Sequence, residues 1–549
     1  MLDTVPRAGG RLQSVLGAGK EEAAPRPPDA AQVADAVARF VALREFRARL
    51  YACLTSRPDA LFEMCDAVLC ADHAVTSLVQ LSLEAEFTRG HGALYDALAA
   101  GRIDEEAFAA LLTGTLPPLA DGDQGRAWIA EHDTIGYGLL EAALAGLPDE
   151  QAAQVREACA RWRRLRFAID ATPYPRPDAE CSPEREHVHH DACRCDGARK
   201  SIPGWEYQFV AAVGHLRTAW TALIDVERTA KAARTTQTAR QVRNLLRRLR
   251  VPGQAGGRGA PLVICDAGYS AAALTAALAG QPVHLLVRLP AKSVLYGDPV
   301  TWPGKRGRPC RHGIPVTCHN EPAAANPEPD ESLLLPDTPH YGTVRVDAWH
   351  PVHPVIHGDR GWFKDNWHGE LPVLRGTLLR VRVSHLPGGR PPHKTMWLWH
   401  AGPAPLSADE LWRAYLARFD IEEHTFRFLK GSLGLTAAKV RTPGQADRWV
   451  RLIMAACAQL LIARTDTADL RRPWEKPPGP GRPLTPGRVR RGFPNIRRHI
   501  GTPAHVAKPG RPGPGRPKGA TRGPAPRYPI PKKSRISGKQ DSTPEPATG

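Results

Sequence analysis

The chain has 549 residues, too many for one hydrophobic core, and its length predicts about two to four domains. Hydrophobic residues make up 42% of it, enough for globular folding, and the formal charge of +18 favours a polyanionic partner, with nucleic acid ahead of an anionic membrane surface. No apolar run approaches the ~18 residues of a membrane span, and the N-terminus lacks a signal-peptide layout, so we expect a soluble cytoplasmic protein and no membrane partner.

The N-terminal third is predicted to be mostly helical. Residues 1–30 are rich in Gly, Pro and Ala and are expected to be disordered. Residues 31–164 repeat Ala and Leu at helical spacing, with breaks at Pro- and Gly-containing segments. This pattern predicts a helical domain, for which DNA binding and a packing role are both open.

Strand patterns begin after residue 164. Residues 165–290 contain three short β-rich runs, a basic helix, the apolar run "PLVICD", a second helix and the strand "PVHLLVRL". This order predicts a mixed α/β sheet. Residues 291–400 shift to Pro, Gly, Trp and His with isolated strands, which indicates a β-rich insertion, and residues 401–466 return to a helical pattern that belongs to the sheet domain.

The last segment, residues 467–549, is basic and dense in Pro and Gly, so we predict a disordered tail. Its Gly-Arg-Pro units have two interpretations. They are either a nonspecific phosphate-binding tail or minor-groove hooks, the second centred on Arg516.

One segment crowds histidine and cysteine together. The run "HVHHDACRC" spans residues 187–195, but it lacks the paired spacing of a zinc site and no second ligand cluster follows it. A polar loop is the favoured interpretation. The 11 cysteines are scattered and odd in number, which argues against a disulfide framework.

Two acids stand at predicted strands. Asp170 lies inside the apolar run "RFAIDATPY", where a carboxylate is costly unless it is paired or binds a metal. Asp266 ends the buried strand "LVICD", where a turn or a helix cap is the alternative role. Acids at strand ends converge, and if a helix supplies a third, their repulsion calls for hard divalent cations, most plausibly Mg²⁺.

The helical segment "YLARFDIEEHTFRFLK" supplies candidates for that third acid. Tyr415, Arg418 and Glu422 share one helix face, while Glu423 and Lys430 share an adjacent face. An ordinary amphipathic helix with i,i+4 ion pairs would show the same pattern.

These residues resemble the DDE transposases of bacterial insertion sequences. Asp170, Asp266 and the pattern Tyr-x2-Arg-x3-Glu that continues to Lys430 carry the resemblance, which extends over most of residues 60–530 and is close to a group of actinobacterial transposases with a tyrosine-arginine-glutamate-lysine signature. It implies a ribonuclease-H-like core with a β-rich insertion between the second aspartate and the glutamate. The order of the motifs is more specific than any one of them.

The resemblance also implies a mechanism. Asp170, Asp266 and either Glu422 or Glu423 would be catalytic and hold two Mg²⁺ ions, or Mn²⁺ in substitution. The chain carries one extra residue here, and Glu423 is favoured because the segment after it keeps the register to Lys430.

The resemblance further implies DNA contacts, which we assign to Tyr415, Arg418 and Lys430 with Arg516 of the tail. The expected partners are double-stranded DNA, as terminal inverted repeats and target, and a second copy of the chain in a synaptic homodimer at the bacterial nucleoid.

Two other functions stay open. One is a catalytically inactive DNA-binding relative, since the extra residue could distort the site. The other is a ribonuclease-H-like nuclease that cuts without joining. Four tryptophans of the insertion either stack a displaced base or pack its core; they are Trp362, Trp367, Trp397 and Trp399.

Overall fold

The computed structural model describes most of the chain between residues 30 and 530. The described residues are 30–116, 148, 164–189, 201–214, 219–249, 260–299, 310–319, 326–338, 340–387, 389–391, 395–478, 483–508, 517–519, 521 and 523–530. The predictions for residues 1–29, for most of the segment 187–195 and for Arg516 lie outside these ranges.

Helices of the described residues are numbered in chain order. They are α1 (Ala30–Cys53), α2 (Pro58–Cys70), α3 (Leu78–Leu81), α4 (Gly92–Ala100), α5 (Glu105–Thr113), α6 (Arg234–Arg248), α7 (Ala271–Ala277), α8 (Gly361–Asn366), α9 (Ala408–Ala417), α10 (Arg427–Gly431), α11 (Pro443–Ala463) and α12 (Pro486–Ile500). A 3-10 turn spans Lys231–Ala233, and a π-helical segment, Ile421–Phe426, joins α9 to α10. None of these helices combines the length and the apolar content needed to cross a membrane.

Strands are numbered in the same way. They are β1 (Leu54–Ser56), β2 (Arg102–Ile103), β3 (Arg166–Pro175), β4 (Glu186–His189), β5 (Ser201–Ala212), β6 (Ala222–Thr229), β7 (Leu262–Cys265), β8 (His284–Arg288), β9 (Val294–Gly297), β10 (Pro315–Thr317), β11 (Glu331–Thr338), β12 (Gly342–Pro354), β13 (Gly376–Val383) and β14 (Met396–Ala401).

A mixed sheet of twelve strands organises the described residues, as the predicted α/β class requires. Its order is β10-β9-β12-β13-β14-β8-β7-β3-β5-β4, with β11 beside β12 and β6 beside β5. The pairs β3–β7 and β7–β8 are parallel, and the other pairs are antiparallel. The central parallel strand, β7, is short and apolar; all four of its residues are buried, as expected for a strand covered on both faces.

The β-rich segment 291–400 extends this sheet. Strand β14 pairs with β8 along Leu398–Arg288 and Trp399–Val287, and β13, β12 and β9 follow outward. A β-strand added at an open edge satisfies backbone groups that would otherwise be unpaired.

The first five helices share the core of the rest of the molecule. Leu61 and Leu69 of α2 lie in the same buried cluster as Trp449 and Ile453 of α11 and as the strands β3 and β7. Helix α11 is apolar along its length and begins with a capping box, in which Thr442 and Gln445 each bond the other's backbone. The described part of residues 31–164 is therefore packed into the main core, where we expected a separate helical domain.

The prediction of a disordered tail is wrong for its central part. Residues 486–500 form α12, whose Val489, Phe493 and Ile496 are buried at helical spacing. The Pro- and Gly-rich flanks hid this short apolar stripe, because composition averaged over 80 residues dilutes three side chains.

Candidate active site

Neighbouring parallel strands place the two aspartates side by side. Ile169 of β3 pairs with Cys265, the last residue of β7; Asp170 follows Ile169 within β3, and Asp266 is the first residue after β7. Adjacent strands lie about 4.8 Å apart, and residues in register on parallel strands project to the same face of the sheet. The negative charge of Asp266 contributes to the raised pKa of Asp170, as expected when two carboxylates lie close together.

Asp170 is a buried carboxylate with two hydrogen bonds. Only 7% of the surface of Asp170 is exposed to solvent. Oδ1 accepts from the Ala171 amide at 2.8 Å, and Oδ2 accepts from Arg418 Nη1 at 3.0 Å. Burial raises the pKa of Asp170 well above its usual range, Arg418 opposes the increase, and Glu422 and Asp266 add to it. A further cation bound beside Asp170 would therefore be stabilised by this carboxylate.

Arg418 links the sheet to the helix that carries the third acid. The same Nη1 lies 2.7 Å from Glu422 Oε1, so the guanidinium bridges Asp170 and Glu422. Arg418 is itself buried, and its guanidinium carbon lies 5.6 Å and 5.3 Å from the ring centroids of Tyr415 and Phe419. It neutralises the two carboxylates and holds them near each other.

The extra residue of this helix is taken up by the π-helical segment. A π turn contains one residue more than an α turn and returns the chain to the same face. Arg418 and Glu422 keep their i,i+4 ion pair at the start of the segment. Lys430 is eight residues beyond Glu422. Because the π turn takes up one residue, these two residues lie on the same helix face, as residues seven apart do in an uninterrupted α-helix. Glu422 therefore satisfies both spacings, and the register argument for Glu423 is lost; both glutamates are exposed.

A buried polar network lies under the turn that follows β7. The Tyr269 hydroxyl donates to Gln208 Oε1 at 2.9 Å, and Gln208 donates to Thr238 and Gln241 of α6. Above it, Asp266 Oδ1 accepts from the Gly268 amide at 2.8 Å. The network joins β5, the Asp266 turn and α6, so it fixes the position of that turn.

Arg234, at the start of α6, is the other cation at this turn. It forms an ion pair with Glu206, approaches the Gly268 carbonyl at 3.4 Å, and lies over the Tyr269 ring at 5.6 Å. Sequence reasoning missed Arg234 and Gln208, because neither stands in a motif. The only available signal was a glutamine at an inward position of an apolar strand.

The structure corrects the predicted DNA contacts. Tyr415 is fully buried beneath Arg418 and cannot reach DNA, and Arg418 is committed to carboxylates and not to a phosphate. Lys430 is half-buried, with its ammonium 5.9 Å from the Phe426 ring centroid.

The tryptophans of the β-rich segment divide into two groups. Trp397 and Trp399 are buried in a cluster with Leu378, and their indole N–H groups donate to the His319 carbonyl and the Thr275 hydroxyl. They are core residues, so base stacking is wrong for this pair. Trp362 and Trp367 are half-buried and flank Phe363 of α8.

Within the described ranges, no three His, Cys, Asp or Glu side chains are grouped as a metal site would group them. At the aspartates, the Arg418 guanidinium contacts one oxygen of Asp170 and one of Glu422. Asp266 Oδ2 makes no hydrogen bond to any described residue. The donors are all carboxylate oxygens, the type that Mg²⁺ prefers.

Comparison with known proteins gives one family. The profile of the family described as DDE superfamily endonuclease matches residues 49–134 and 141–352. None of the curated proteins compared with the chain matches it. Among solved structures, the piggyBac transposase in a synaptic complex with hairpin DNA is similar at 11% identity, with a TM-score of 0.31 over 81% of this chain and 83% of that one.

Proposed function

Because this chain belongs to the DDE superfamily of endonucleases, we propose that it is a DNA transposase that cleaves the ends of a mobile element and joins them to a target. The observation that carries the proposal is the pairing of Asp170 and Asp266 on adjacent parallel strands, with Arg418 bridging Asp170 to Glu422. The family profile ends at residue 352, so the contribution of the helix after β14 rests on the geometry alone.

The order of five strands supports a ribonuclease-H-like core. Strands β6, β5 and β3 are antiparallel neighbours, and β7 and β8 continue the sheet in parallel with β3. Helix α6 connects β6 to β7, and α7 connects β7 to β8. Strands β9 to β14 stand in the chain between Asp266 and Glu422, which is the place expected of the β-rich insertion.

We propose Glu422 as the third carboxylate, in preference to Glu423. Glu422 contacts Arg418 and raises the pKa of Asp170, so it shares the electrostatic environment of the aspartates. The π-helical segment removes the register argument that favoured Glu423.

The donor set fits hard divalent cations. Asp170, Asp266 and Glu422 would hold two Mg²⁺ ions, or Mn²⁺ in substitution, once Arg418 gives up its bond to Asp170 Oδ2. When bound, such ions would polarise the phosphate and assist ionisation of the attacking water or 3′-hydroxyl. The buried guanidinium stabilises the carboxylates in their absence, which keeps the site assembled.

The chain's own residues position this chemistry. The Gly268 amide donates to Asp266 Oδ1 and so orients this carboxylate, and Oδ2 makes no hydrogen bond to a described residue. Tyr269 and Gln208 hold the turn, and Arg234 lies beside it in an ion pair with Glu206. We propose double-stranded DNA as substrate, as terminal repeats and target, and a homodimer that pairs two ends.

A catalytically inactive DNA-binding relative is the second candidate. The observation that favours it is that Arg418 Nη1 contacts both Asp170 and Glu422, so one guanidinium balances charge on two of the three carboxylates. A third candidate is a nuclease that cuts without strand transfer. Its products would distinguish it from the other two, because it would yield cleaved DNA but no joined DNA.

The test uses the full chain and a duplex that carries the repeats flanking its reading frame. We expect Mg²⁺-dependent nicking and strand-transfer products that are absent with EDTA. Asp170→Asn and Asp266→Asn should each abolish both products while anisotropy shows DNA binding within about twofold of wild type. Near-normal cleavage by either variant would refute the site. Cleavage without joined products would assign a nuclease, and binding without cleavage by wild type would assign the inactive relative.

A further inference from the structure

Three arginines surround one buried aspartate on the strand pair β12–β13. Asp347 of β12 is completely buried, and its ladder partner Arg380 donates to Oδ2 through Nε at 3.0 Å and through Nη2 at 2.9 Å. Arg345 Nε donates to Oδ1 at 3.0 Å, and Arg382 Nη2 donates to Oδ2 at 3.1 Å. Three guanidinium groups around one carboxylate leave two positive charges unbalanced.

One of the three arginines suffices to balance Asp347. Burial raises the pKa of Asp347, but hydrogen bonds, among them those of Arg345 and Arg380, outweigh this effect and hold the pKa at about 2. The carboxylate is therefore ionised at neutral pH. Arg380 is only 7% exposed and makes two bonds to it, so Arg380 is the buried partner of this ion pair. Arg345 and Arg382 exceed what charge balance requires.

These two arginines face each other and are accessible. Arg345 and Arg382 are direct partners across the antiparallel strands, and their side chains are 51% and 40% exposed. Neither terminal nitrogen of Arg345 bonds a described residue, and Arg382 Nη1 is likewise unbonded and, unlike its Nε, is not hidden from solvent. Like charges opposite each other destabilise a strand pair, and an anion between them would reverse that effect.

The neighbouring strand adds no acid to this face. On β11 the face carries Ser332, which donates to Asp347 Oδ1 at 2.8 Å, and Leu334, which lies opposite Arg345 and is 63% exposed. Among the described residues, Asp347 is the only carboxylate within 4.0 Å of Arg345 or Arg382. The free N–H groups of the two arginines are therefore available to an external anion.

Strand register places the pair at the edge of the sheet where the catalytic aspartates lie. Leu378 of β13 is level with Cys265 of β7, through β8 and β14. Arg382 lies four residues beyond Leu378, toward the edge where Asp266 follows Cys265, and three strands away from it. With ~4.8 Å between strands and ~3.3 Å per residue, Arg382 and Arg345 lie about 17–22 Å from Asp266.

We propose that Arg345 and Arg382 together bind one phosphate group of the DNA backbone. Guanidinium N–H groups match the oxygens of a phosphate in geometry and charge. Asp347 already holds both side chains in place, so less side-chain freedom is lost on binding. At ~3.4 Å per base pair, the contact falls roughly five to six base pairs from the scissile bond. The β-rich segment would thereby align the duplex on the carboxylates.

This inference rests on the proposed function for the source of the phosphate, since inorganic phosphate has the same oxyanion chemistry. The experiment therefore includes both sources. Its variants must also stay folded, which excludes substitution of the buried Asp347 or Arg380.

Arg345→Gln removes one charge of the pair and leaves Asp347 bonded to Arg380. Arg375→Gln is the matched control, because Arg375 is 55% exposed, also bonds an acid through Nε, at 3.0 Å from Asp298, and precedes β13 at its opposite end. Both variants lose the same charge. Since exposed ion pairs contribute little to stability, the Tm of each should stay within about 2 °C of wild type.

The measurement is the affinity of the full chain for a 20-base-pair duplex that carries one flanking repeat, by fluorescence anisotropy at four salt concentrations. We expect Arg345→Gln to lower the slope of log K against log salt by about 0.9, the value for one phosphate contact, and Arg375→Gln to leave it unchanged. Arg345→Lys keeps the charge and should retain most of the slope. Equal slopes in wild type and Arg345→Gln would overturn the proposal. Equal losses in Arg345→Gln and Arg375→Gln would also overturn it, because they would show a response to net charge alone.

The second arm is thermal unfolding in inorganic phosphate against chloride at matched ionic strength. Phosphate should raise the Tm of wild type and of Arg375→Gln more than that of Arg345→Gln. That difference together with an unchanged DNA slope would assign the pair to a free anion and overturn its assignment to DNA. A loss of slope in Arg345→Gln, with no metal-dependent cleavage by wild type, would refute the proposed activity and support the phosphate site.

Discussion

A buried ion pair joins the N-terminal helices to α12, and its removal should destabilise the whole molecule. Arg47 of α1 donates to both oxygens of Asp66 of α2, at 2.7 Å and 2.9 Å, and both side chains are almost completely buried. Arg497 of α12 donates to the same carboxylate at 2.7 Å, and Arg47 also bonds the Gln459 side chain of α11. Arg47→Met keeps the apolar stem and deletes the charge.

The expected cost follows from what remains. Breaking a buried pair costs about 3–5 kcal/mol because a carboxylate is left without its partner. Arg497 still neutralises part of Asp66, so we expect the lower end, about 3 kcal/mol. The matched control is Arg311→Met, whose partner Glu370 is 2.8 Å away but exposed. An exposed pair contributes about 0–1 kcal/mol.

The assay is urea unfolding followed by tryptophan fluorescence, with the midpoint shift converted through the common slope. Hydrogen exchange of α12 amides gives a second readout, because α12 should lose protection in Arg47→Met before the sheet does. A destabilisation no larger than that of Arg311→Met would refute the reasoning that this pair stabilises the core shared by α1, α2, α11 and α12.

Three further outcomes are expected. Glu422→Gln should abolish metal-dependent cleavage and Glu423→Gln should retain most of it, since Glu422 forms an ion pair with Arg418 and acts on the pKa of Asp170; equal activities in a single-turnover assay would exclude the assignment of Glu422. Burial lowers the pKa of His400 to about 3 in the folded chain, whereas the pKa in the unfolded chain is about 6.5. The free energy of unfolding should therefore fall as the pH drops below 6.5, by about 2 kcal/mol at pH 5. The urea midpoint should depend less on pH in His400→Phe than in wild type. Deletion of residues 531–549, which spares the Tyr528 contacts with Glu180 and Arg185, should weaken DNA binding and lower its salt slope without lowering the Tm; an unchanged slope would show that this segment contacts no phosphate.

The sequence by itself determined the α/β class and indicated the two aspartates of the candidate site. Apolar runs of strand length around Asp170 and Asp266 predict two buried strands, and a carboxylate inside such a run needs a partner to balance its charge; that the strands are neighbours is known from their pairing in the structure. The change in composition after residue 290 also located the β-rich segment. These features are local: each depends on side chains within about ten residues.

Only the tertiary structure decided how the remaining parts meet. Arg418 reaches Asp170 across 248 residues of chain, and no local pattern indicates that it turns inward to carboxylates instead of outward to DNA. The choice of Glu422 depends on a π turn, which forms because the surrounding helix keeps its buried face on the sheet while one residue is added. Helix α12 was missed because its three apolar side chains stabilise a helix only when α2 and α11 provide a surface that buries them. Long-range packing and backbone pairing set these features, and they are not encoded in the spacing of neighbouring residues.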